Sequence, residues 1–165
     1  GQMVTLCRMD EEKTPLSKSE FDLSETVADT VSEFEPLARA QGKTMQSEVE
    51  PKVRCCGYEW AIRRLLAILL DNAVKYCDPA GEITITLSCR RHAVLEVENS
   101  FAAVDETQLD RLFDRFYRSD RARTSGGGFG IGLSIAQATA SAHRADLTAY
   151  RAGPARIGFR VVFRG

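Results

Sequence analysis

An apolar segment at residues 65–76 carries one amide on its hydrophobic face. It reads Leu-Leu-Ala-Ile-Leu-Leu-Asp-Asn-Ala-Val-Lys-Tyr. Spacings of three and four residues put Asn72 on the same helical stripe as Leu65, Ile68, Leu69 and Tyr76. An unsatisfied amide among leucines would cost about 1–3 kcal/mol, so Asn72 needs a polar partner. That partner is either an ordinary hydrogen bond in the core or a bound ligand.

A glycine run further along the chain opens another predicted helix. It reads Gly126-Gly127-Gly128-Phe129-Gly130-Ile131-Gly132-Leu133. Glycines ahead of a helix let backbone N–H groups approach an anion, and the helix N-terminus adds roughly half a positive charge. The run therefore predicts a loop that binds phosphate. Its context fits neither the dinucleotide-binding fingerprint nor a P-loop, which requires Gly-Lys followed by Ser or Thr.

Composition and charge exclude several classes of function. The 165 residues are 44% hydrophobic and 27% charged, which is typical of one globular domain. A net charge of −1 gives no field that would attract nucleic acid or a bare membrane surface, so neither partner is expected. No signal peptide and no apolar stretch of about 18 residues is present. Five cysteines without metal-ligand spacing indicate free thiols in a reducing, cytoplasmic setting.

Helix and strand signals alternate along the chain. Residues 10–20 read as a polar linker, and the fold is predicted to begin near Phe21. Predicted helices run from an N-cap at Ser24 to about Arg39, from about Tyr58 to Tyr76, over 106–116, and from Ile131 to about His143 with Ile131, Ile135 and Ala138 inward. Predicted strands cover 43–49, 53–56, 82–88, 93–98, 145–151 and 156–163. This order predicts an α+β fold, a two-layer α/β sandwich with helices on one face of a mixed, mostly antiparallel sheet.

Four ordered motifs carry a resemblance to a known family. Residues 21–24, 69–76, 112–118 and 127–135 resemble the start, the N box, the F box and the G2 box of the ATP-binding catalytic domain of bacterial sensor histidine kinases. The motifs follow the family's order and spacing over about residues 3–164. The resemblance implies the Bergerat ATP-binding fold of the GHKL superfamily, with ATP and Mg²⁺ bound. It also implies transfer of the ATP γ-phosphate to a histidine on a separate helical domain.

The same resemblance implies the organisation of a longer protein. Residues 1–20 would be the end of a dimerisation helix and a linker, and residues 21–165 the catalytic domain. The implied partners are the protein's own dimerisation and phosphoacceptor domain, in a homodimer, and a response regulator downstream in a two-component phosphorelay. The implied location is the cytoplasmic side of a bacterial inner membrane, with any membrane attachment in a preceding segment.

The resemblance also assigns roles to residues by position. Asn72 corresponds to the Mg²⁺ ligand, and a neutral amide oxygen suits a cation whose charge the triphosphate balances. Lys75 and Tyr76 correspond to phosphate and nucleotide contacts, and Asn72 with Lys75 to the catalytic pair. The remaining predicted nucleotide contacts are Asn99, Val104, the lid residues Arg118 and Arg123, and the G2 residues Gly128, Gly130, Ile131, Gly132 and Leu133.

The G1 box departs from the family pattern Asp-x-Gly-x-Gly. The matching residues are Asn99-Ser100-Phe101-Ala102-Ala103. The amide oxygen of Asn99 can accept a hydrogen bond from the adenine amino group, but a neutral acceptor should be weaker by about 1 kcal/mol, roughly five- to tenfold in affinity. Side chains at Phe101 and Ala103 occupy positions that the family leaves bare. We therefore expect weakened or altered nucleotide binding.

Three further departures concern catalysis and one turn. Ile68 stands where related ATP hydrolases of this fold carry a glutamate general base, so hydrolysis of ATP within the domain is poorly supported. Neither His92 nor His143 lies in the sequence context of the phosphoacceptor helix, so we expect the chain to bind nucleotide without phosphorylating itself. Arg144-Ala145 replaces two glycines that often follow in the family, which predicts a changed turn.

Two alternative functions stay open on the sequence alone. One is a non-catalytic regulatory module of the same fold, degraded at its G1 box. Retention of Asn72, Lys75 and the G2 glycines argues against it. The other is a serine kinase of the anti-sigma type that phosphorylates a partner protein. The F box and the helical stub predicted at residues 2–9 argue against that one.

Overall fold

A computed structural model describes residues 18–114 and 132–164. In these ranges, helices cover one face of a five-stranded sheet, so the predicted two-layer α+β sandwich is confirmed. The helices are α1 (Leu23–Ala40), α2 (Glu59–Tyr76) and α3 (Gly132–Ala142). The strands are β1 (Ser19–Asp22), β2 (Thr44–Val49), β3 (Arg54–Gly57), β4 (Glu82–Cys89), β5 (Ala93–Ser100), β6 (Ala145–Gly153) and β7 (Arg156–Phe163).

The sheet is mixed and mostly antiparallel, as predicted. Its strand order is β2-β4-β5-β7-β6, and β1 with β3 forms a separate two-stranded ribbon. Strands β2 and β4 pair in parallel, whereas every other neighbouring pair in the large sheet is antiparallel. Alternate residues of β5 are buried, and Asn99 continues the buried series that contains Leu95 and Val97. Because side chains alternate between the faces of a strand, Asn99 lies on the face that the helices cover.

Helix α1 is capped by Asp22 and not by Ser24, so the predicted cap was wrong. The Asp22 Oδ1 atom accepts a hydrogen bond from the Glu25 backbone N–H at 2.9 Å. Ser24 lies inside the helix, where its Oγ donates to the Glu50 carbonyl at 2.5 Å and accepts from the Val53 N–H at 2.9 Å. Those partners are distant in the sequence, so local spacing gave no sign of them. The helix ends before Gly42, as predicted, and Gly42 itself has a positive φ of 74°.

The helix predicted over residues 106–116 was wrong within the described residues. The chain forms two short 3-10 turns there, Ala102–Glu106 and Leu109–Arg111. Thr107, between them, has extended backbone angles of −103° and 134°, and its hydroxyl donates to the Ala103 carbonyl at 2.9 Å. A side chain that binds a nearby carbonyl competes with helix formation. Residues 115 and 116 lie outside the described residues.

The inward face predicted for α3 was also wrong. Leu133, Ala136 and Ala140 are buried, whereas Ile135 is 37% exposed and Ala138 is exposed. Helix α3 packs against α2, and close approach of two helices favours small side chains at the contact. Hydrophobicity alone predicted that Ile135 would be buried, whereas packing between the helices buries Ala136 and Ala140 instead. The predicted inward residue Ile131 lies outside the described residues. In residues 18–114 and 132–164, no helix is long and apolar enough to cross a membrane.

Candidate functional site

Helix α2 holds Asn72 at the edge of the hydrophobic core. The side chain is 8% exposed and shares the buried face with Leu65, Leu69 and Tyr76. Ile68 belongs to the same stripe but is only half-buried. The predicted helix and its apolar face are therefore confirmed, with Ile68 at the margin of the stripe. A carbonyl oxygen and an amino group are thus held where leucine would ordinarily lie.

The N-terminus of α3 lies beside the same part of α2. A Cβ atom added to Gly132 would lie 3.6 Å from Ile68 Cγ2, an ordinary contact distance. Ile68 precedes Asn72 by four residues, so the two follow one another on one face of the helix. Leu133, the next residue of α3, is buried. The first turn of α3 and the Asn72 turn of α2 therefore belong to one region of the molecule.

Lys75 lies on the outer side of α2. Its Nζ atom is 3.2 Å from Asp71 Oδ2, and the two side chains are 57% and 50% exposed. An exposed pair at this spacing contributes only about 0.3–0.5 kcal/mol, so Lys75 can exchange this partner at little cost. Tyr76, by contrast, is buried. The structure thus places Lys75 on a solvent-facing side of the helix, next to the buried face that carries Asn72.

Asn99 lies at the end of β5 with its amide in a defined orientation. The side chain is 1% exposed, and its Nδ2 donates a hydrogen bond to the Ser100 carbonyl at 3.0 Å. Because Nδ2 is engaged in this hydrogen bond, Oδ1 is the atom of the amide that can accept a hydrogen bond from a ligand. Helix α2 packs against β5, and Val104, a few residues on, is buried as well. A buried acceptor is therefore present where the resemblance assigns contact with the nucleotide base.

Phe101 and Ala103 are parts of the hydrophobic core. Phe101 is 2% exposed, and Ala103 is also buried. Phe101 has extended angles of −159° and 97°, and Ala103 has angles of −86° and 16°. Both conformations are open to residues other than glycine. The altered G1 box therefore folds without backbone strain at these two positions, and its effect on nucleotide affinity stays a prediction.

Sequence reasoning missed the residue that ties α2 to this segment. Asp78 follows α2, and its Oδ2 accepts a hydrogen bond from the Ala102 N–H at 2.7 Å. The Asp78 backbone N–H donates to the Ser100 carbonyl at 2.9 Å, and the Gly81 N–H donates to the Asp78 carbonyl at 2.9 Å. The turn signal Asp-Pro-Ala-Gly was visible in the sequence. Its attachment to residues 100–102 was not, because the partners are far apart along the chain.

Other predicted contacts lie outside the described residues. These are Arg118, Arg123, Gly128, Gly130 and Ile131. Their assignment rests on the sequence motifs. Of the G2 residues, the structure describes Gly132 and Leu133.

The two histidines lie away from this region. His143 is 6% exposed, its Nδ1 lies 2.8 Å from the Thr139 carbonyl, and its Nε2 accepts a hydrogen bond from the Tyr58 N–H at 3.1 Å. That geometry fits a ring that carries its proton on Nδ1. His92 lies between β4 and β5 and is half-buried. Both nitrogens of His143 are occupied by hydrogen bonds within the fold, and its exclusion as a phosphoacceptor stays a prediction.

Two of the cysteine thiols in the described residues have raised pKa values. Burial, and secondarily the neighbouring Cys56, raises the pKa of the Cys55 thiol to about 11. Burial also raises the pKa of Cys77, which lies beside the Asp78 turn. Within residues 18–114 and 132–164, no group of three or more His, Cys, Asp or Glu side chains is arranged to hold a metal ion.

Comparison with known proteins assigns the fold to a family. Residues 57–164 match the family described as histidine kinase-, DNA gyrase B- and HSP90-like ATPases. This match spans most of the chain. The chain belongs to this ATPase family. Membership implies ATP binding, generally with Mg²⁺.

Relatives within the ATPase family are sensor histidine kinases. The sensor protein DltS of Streptococcus agalactiae is 32% identical over 150 residues, which cover 90% of this chain and 38% of that protein. The sensor histidine kinase RppB of Synechocystis is 32% identical over 149 residues, 88% of this chain and 33% of that protein. The chain thus spans between 33% and 38% of the length of these two relatives and corresponds to the ATP-binding domain of a sensor kinase.

Solved structures share the fold of this ATPase domain. The catalytic domain of histidine kinase ThkA superposes with a TM-score of 0.75 at 20% identity and covers 90% of this chain and 97% of that one. The mycobacterial sensor histidine kinase MprB gives a TM-score of 0.74 at 24% identity, with 88% and 97% covered. The recognition of a sensor-kinase type of ATPase domain is confirmed.

The residues of the site fit the Mg²⁺ that this ATPase family generally uses. Mg²⁺ takes hard oxygen ligands, keeps several waters and is commonly shared with substrate phosphates. Asn72 offers such an oxygen from a nearly buried, neutral amide. The chain can therefore supply one ligand and leave the remaining positions to phosphate and water.

Proposed function

We propose that this chain binds Mg²⁺-ATP between α2, the end of β5 and the start of α3. We further propose that, in a longer sensor protein, it transfers the γ-phosphate to a histidine on a separate helical domain. In this proposal residues 21–165 are the catalytic domain and residues 1–20 lead to that helical domain. The observation that carries the proposal is the amide of Asn72, held on the buried face of α2 one turn after Ile68, the residue that lies at contact distance from Gly132 at the start of α3.

The phosphate end of the proposed site combines three features of the described chain. Asn72 would hold Mg²⁺ through its amide oxygen. The N-terminus of α3, at Gly132 and Leu133, would direct backbone N–H groups at a phosphate, where the helix dipole favours negative charge. Lys75 would leave Asp71, now 3.2 Å away, to pair with a phosphate oxygen. An exposed ion pair is weak enough for that exchange.

The base end of the proposed site is formed by Asn99 and its neighbours. Its Oδ1 is oriented as an acceptor, because Nδ2 is held by the Ser100 carbonyl. An acceptor at this position matches the exocyclic amino group of adenine. Val104, five residues after Asn99, and Tyr76, at the end of α2, are buried and would limit the space for the base. Arg118, Arg123, Gly128, Gly130 and Ile131 stay predicted contacts on the strength of their motifs.

The proposed reaction is phosphoryl transfer to an imidazole. The bond from the γ-phosphorus to the bridging oxygen of ATP breaks, ADP leaves, and a bond forms to an imidazole nitrogen of the acceptor histidine. Bound Mg²⁺ would neutralise charge on the phosphates. The chain's own residues bind and orient the nucleotide, which is most of what phosphoryl transfer requires of a protein. Ile68, where related hydrolases have a general base, favours transfer to a histidine over hydrolysis.

The proposed setting follows from the sensor-kinase relatives. The partners would be the protein's own dimerisation and phosphoacceptor domain, in a homodimer, and a downstream response regulator. The domain would lie on the cytoplasmic side of a bacterial inner membrane. These assignments rest on what the relatives are, since this chain corresponds to about a third of their length.

Labelling of the full-length protein with γ-radiolabelled ATP tests the proposed transfer. We expect an acid-labile, alkali-stable phosphate on the full-length protein, as is typical of phosphohistidine. The same protein with Asn72→Ala should incorporate little label. The present chain alone should stay unlabelled. Stoichiometric labelling of the isolated chain, or undiminished labelling of the Asn72→Ala protein, would contradict the proposal.

A further inference from the structure

We infer that Asp78 is a positioning residue for the nucleotide base, because its carboxylate holds Ala102 and its backbone holds the Ser100 carbonyl that orients Asn99. The inference rests on the proposed function, because it concerns the base end of the same site. It assigns a role to the turn that follows α2. Asp78 is not predicted to touch the nucleotide itself.

Asp78 holds both sides of a short segment after β5. Its carboxylate accepts a hydrogen bond from the Ala102 N–H at 2.7 Å, and its own backbone N–H donates to the Ser100 carbonyl at 2.9 Å. Phe101 lies between these two attachments, and its backbone N–H donates to the Ala155 carbonyl at 2.7 Å. Three consecutive residues are thus fixed by backbone hydrogen bonds, two of them to Asp78.

The Ser100 carbonyl connects Asp78 to the proposed base contact. It accepts a hydrogen bond from the Asp78 backbone and another from Asn99 Nδ2, at 3.0 Å. The second bond decides which end of the Asn99 amide is presented as the acceptor. A shift of the Ser100 carbonyl would therefore free the amide to rotate. An amide that can present either its nitrogen or its oxygen would distinguish poorly between purines.

The turn itself is packed too closely to move independently. A Cβ atom on Gly81 would lie 2.8 Å from the Asp78 carbonyl oxygen, from Cys77 Sγ and from Ser100 Cβ. The Glu82 N–H donates to Ser100 Oγ at 3.0 Å on the other side of this contact. Because the turn and Ser100 touch directly, the end of α2 and the end of β5 form one unit. The acceptor of the Ala102 N–H is the Asp78 carboxylate.

The replaced glycines explain why such a residue matters in this chain. Phe101 anchors the segment in the core by its side chain, and Asp78 anchors it by hydrogen bonds from the turn that follows α2. The segment is therefore held in one conformation, where a glycine-rich G1 box has more backbone freedom. A fixed segment presents Asn99 to the base without having to be ordered by it.

Binding of two purine triphosphates tests the role of Asp78. ATP and inosine triphosphate share their phosphates, and they differ at position 6 of the base, where inosine has an oxygen in place of the amino group. The affinity of this chain for each, with Mg²⁺, is measured by calorimetry for the unmodified chain, Asp78→Ala and Asp78→Asn. Asp146→Ala, which removes a carboxylate paired with Arg164 at the sheet edge, is the matched control.

The inference predicts a loss that is selective for ATP. Asp78→Ala keeps the backbone N–H that binds the Ser100 carbonyl and removes the acceptor of the Ala102 N–H, so the segment is released at Ala102. The variant should weaken ATP binding about five- to tenfold, the value of one neutral hydrogen bond between Asn99 and the base, and change inosine triphosphate binding less than about twofold. Asp78→Asn keeps an oxygen that can accept from Ala102 and should restore the preference for ATP. The Asp146→Ala control should bind both nucleotides as the unmodified chain does.

Other outcomes would overturn the inference. An equal loss for both nucleotides would mean that Asp78 acts only on the stability of the domain. An unmodified chain that binds ATP no better than inosine triphosphate would remove the base contact while leaving the proposed function intact. If circular dichroism shows that Asp78→Ala does not fold, Asp78→Asn and Asp78→Ser are measured in its place. A serine variant that binds both nucleotides with an unchanged ratio of ATP to inosine triphosphate affinity would contradict the inference. An unmodified chain that binds neither nucleotide would instead overturn the proposed function.

Discussion

The Nε2 atom of His143 accepts a hydrogen bond from the Tyr58 backbone N–H at 3.1 Å. Tyr58 is the N-cap residue of α2, and His143 directly follows α3. The ring therefore joins the start of one helix to the end of the other, away from the ends that carry Asn72 and Gly132. Its Nδ1 is bound to the Thr139 carbonyl. One buried side chain thus adds a hydrogen-bonded link to the direct packing between the two helices of the proposed site.

Loss of the His143 ring should destabilise the domain. We expect His143→Ala to lower the free energy of unfolding by about 2–3 kcal/mol, because it leaves a cavity and removes the acceptor for the Tyr58 N–H. Gly57→Ala should have a comparable effect, since its Cβ would lie 2.4 Å from His143 Cδ2. Because the clash needs the ring, the double variant should lose less than the sum of the two. Urea denaturation measures all three, and additive losses would contradict the contact.

Ser24 and Asp22 should differ in what their removal costs. Ser24→Ala leaves the buried Val53 N–H without its acceptor, so we expect a loss of about 1–3 kcal/mol in unfolding free energy. Asp22→Ala removes a helix cap and should cost about 1 kcal/mol. The control is Ser32→Ala, at an exposed position of α1, which should stay within about 0.5 kcal/mol of the unmodified chain. A smaller loss for Ser24→Ala than for the control would refute its role between α1 and the chain before β3.

Replacing Arg144 by glycine, but not by alanine, should stabilise the folded domain. Its φ of 55° is in the left-handed region, which costs a residue with a Cβ atom roughly 1–2 kcal/mol. Glycine would relieve this strain, but it would offset part of the gain because glycine is more flexible in the unfolded chain. We therefore expect Arg144→Gly to raise the unfolding free energy by about 0.5–1 kcal/mol. Arg144→Ala keeps the strain, and an equal gain from both variants would show that the side chain and not the backbone is responsible.

Alkaline pH should lower the stability of the fold through ionisation of the half-buried Cys55 thiol. Its pKa is raised from 9.0 to about 11, so the folded state favours the neutral thiol. The stability that this provides is complete below pH 9 and is lost as the pH rises through about 11. Tyr150 acts in the same direction from its ordinary pKa of 10.0, because burial and then its hydrogen bond to Glu98 raise its pKa.

Melting temperatures between pH 8 and 11 check this behaviour. The unmodified chain should lose thermal stability steadily above pH 9, and Cys55→Ala should lose less of it. Cys89→Ala, at another half-buried thiol, should follow the unmodified chain. The same dependence in Cys55→Ala as in the unmodified chain would show that this thiol is not responsible.

Sequence patterns predicted those elements whose stabilising contacts are repeated locally. The apolar stripe of α2 and the period-two alternations of β4 and of β5 each appear within one element, and all three elements lie where they were predicted. The same holds for Gly42, which ends α1 by its own backbone conformation. Local periodicity therefore sufficed for the fold class and for the burial of Asn72.

Contacts between distant residues could not be predicted in this way. Ser24 resembled a helix cap by spacing, yet its partners Glu50 and Val53 lie across the fold. Asp78 resembled a plain turn residue until the structure placed Ala102 against it. Ile135 had the right hydrophobicity for the core, but the contact between α2 and α3 buries smaller residues instead. In each case the deciding interaction joins residues that are distant in the sequence, and neither sequence segment alone contains a pattern that predicts it.

Titration of this chain with ATP, in the presence and absence of Mg²⁺, tests the central claim most directly. The unmodified chain should bind ATP in a Mg²⁺-dependent manner, and Asn72→Ala should lose at least about tenfold in affinity, the equivalent of one metal ligand or strong hydrogen bond. Gln46→Ala, which removes an exposed amide from β2, should bind like the unmodified chain. Binding that does not depend on Mg²⁺, or that is equally tight in Asn72→Ala, would contradict the account.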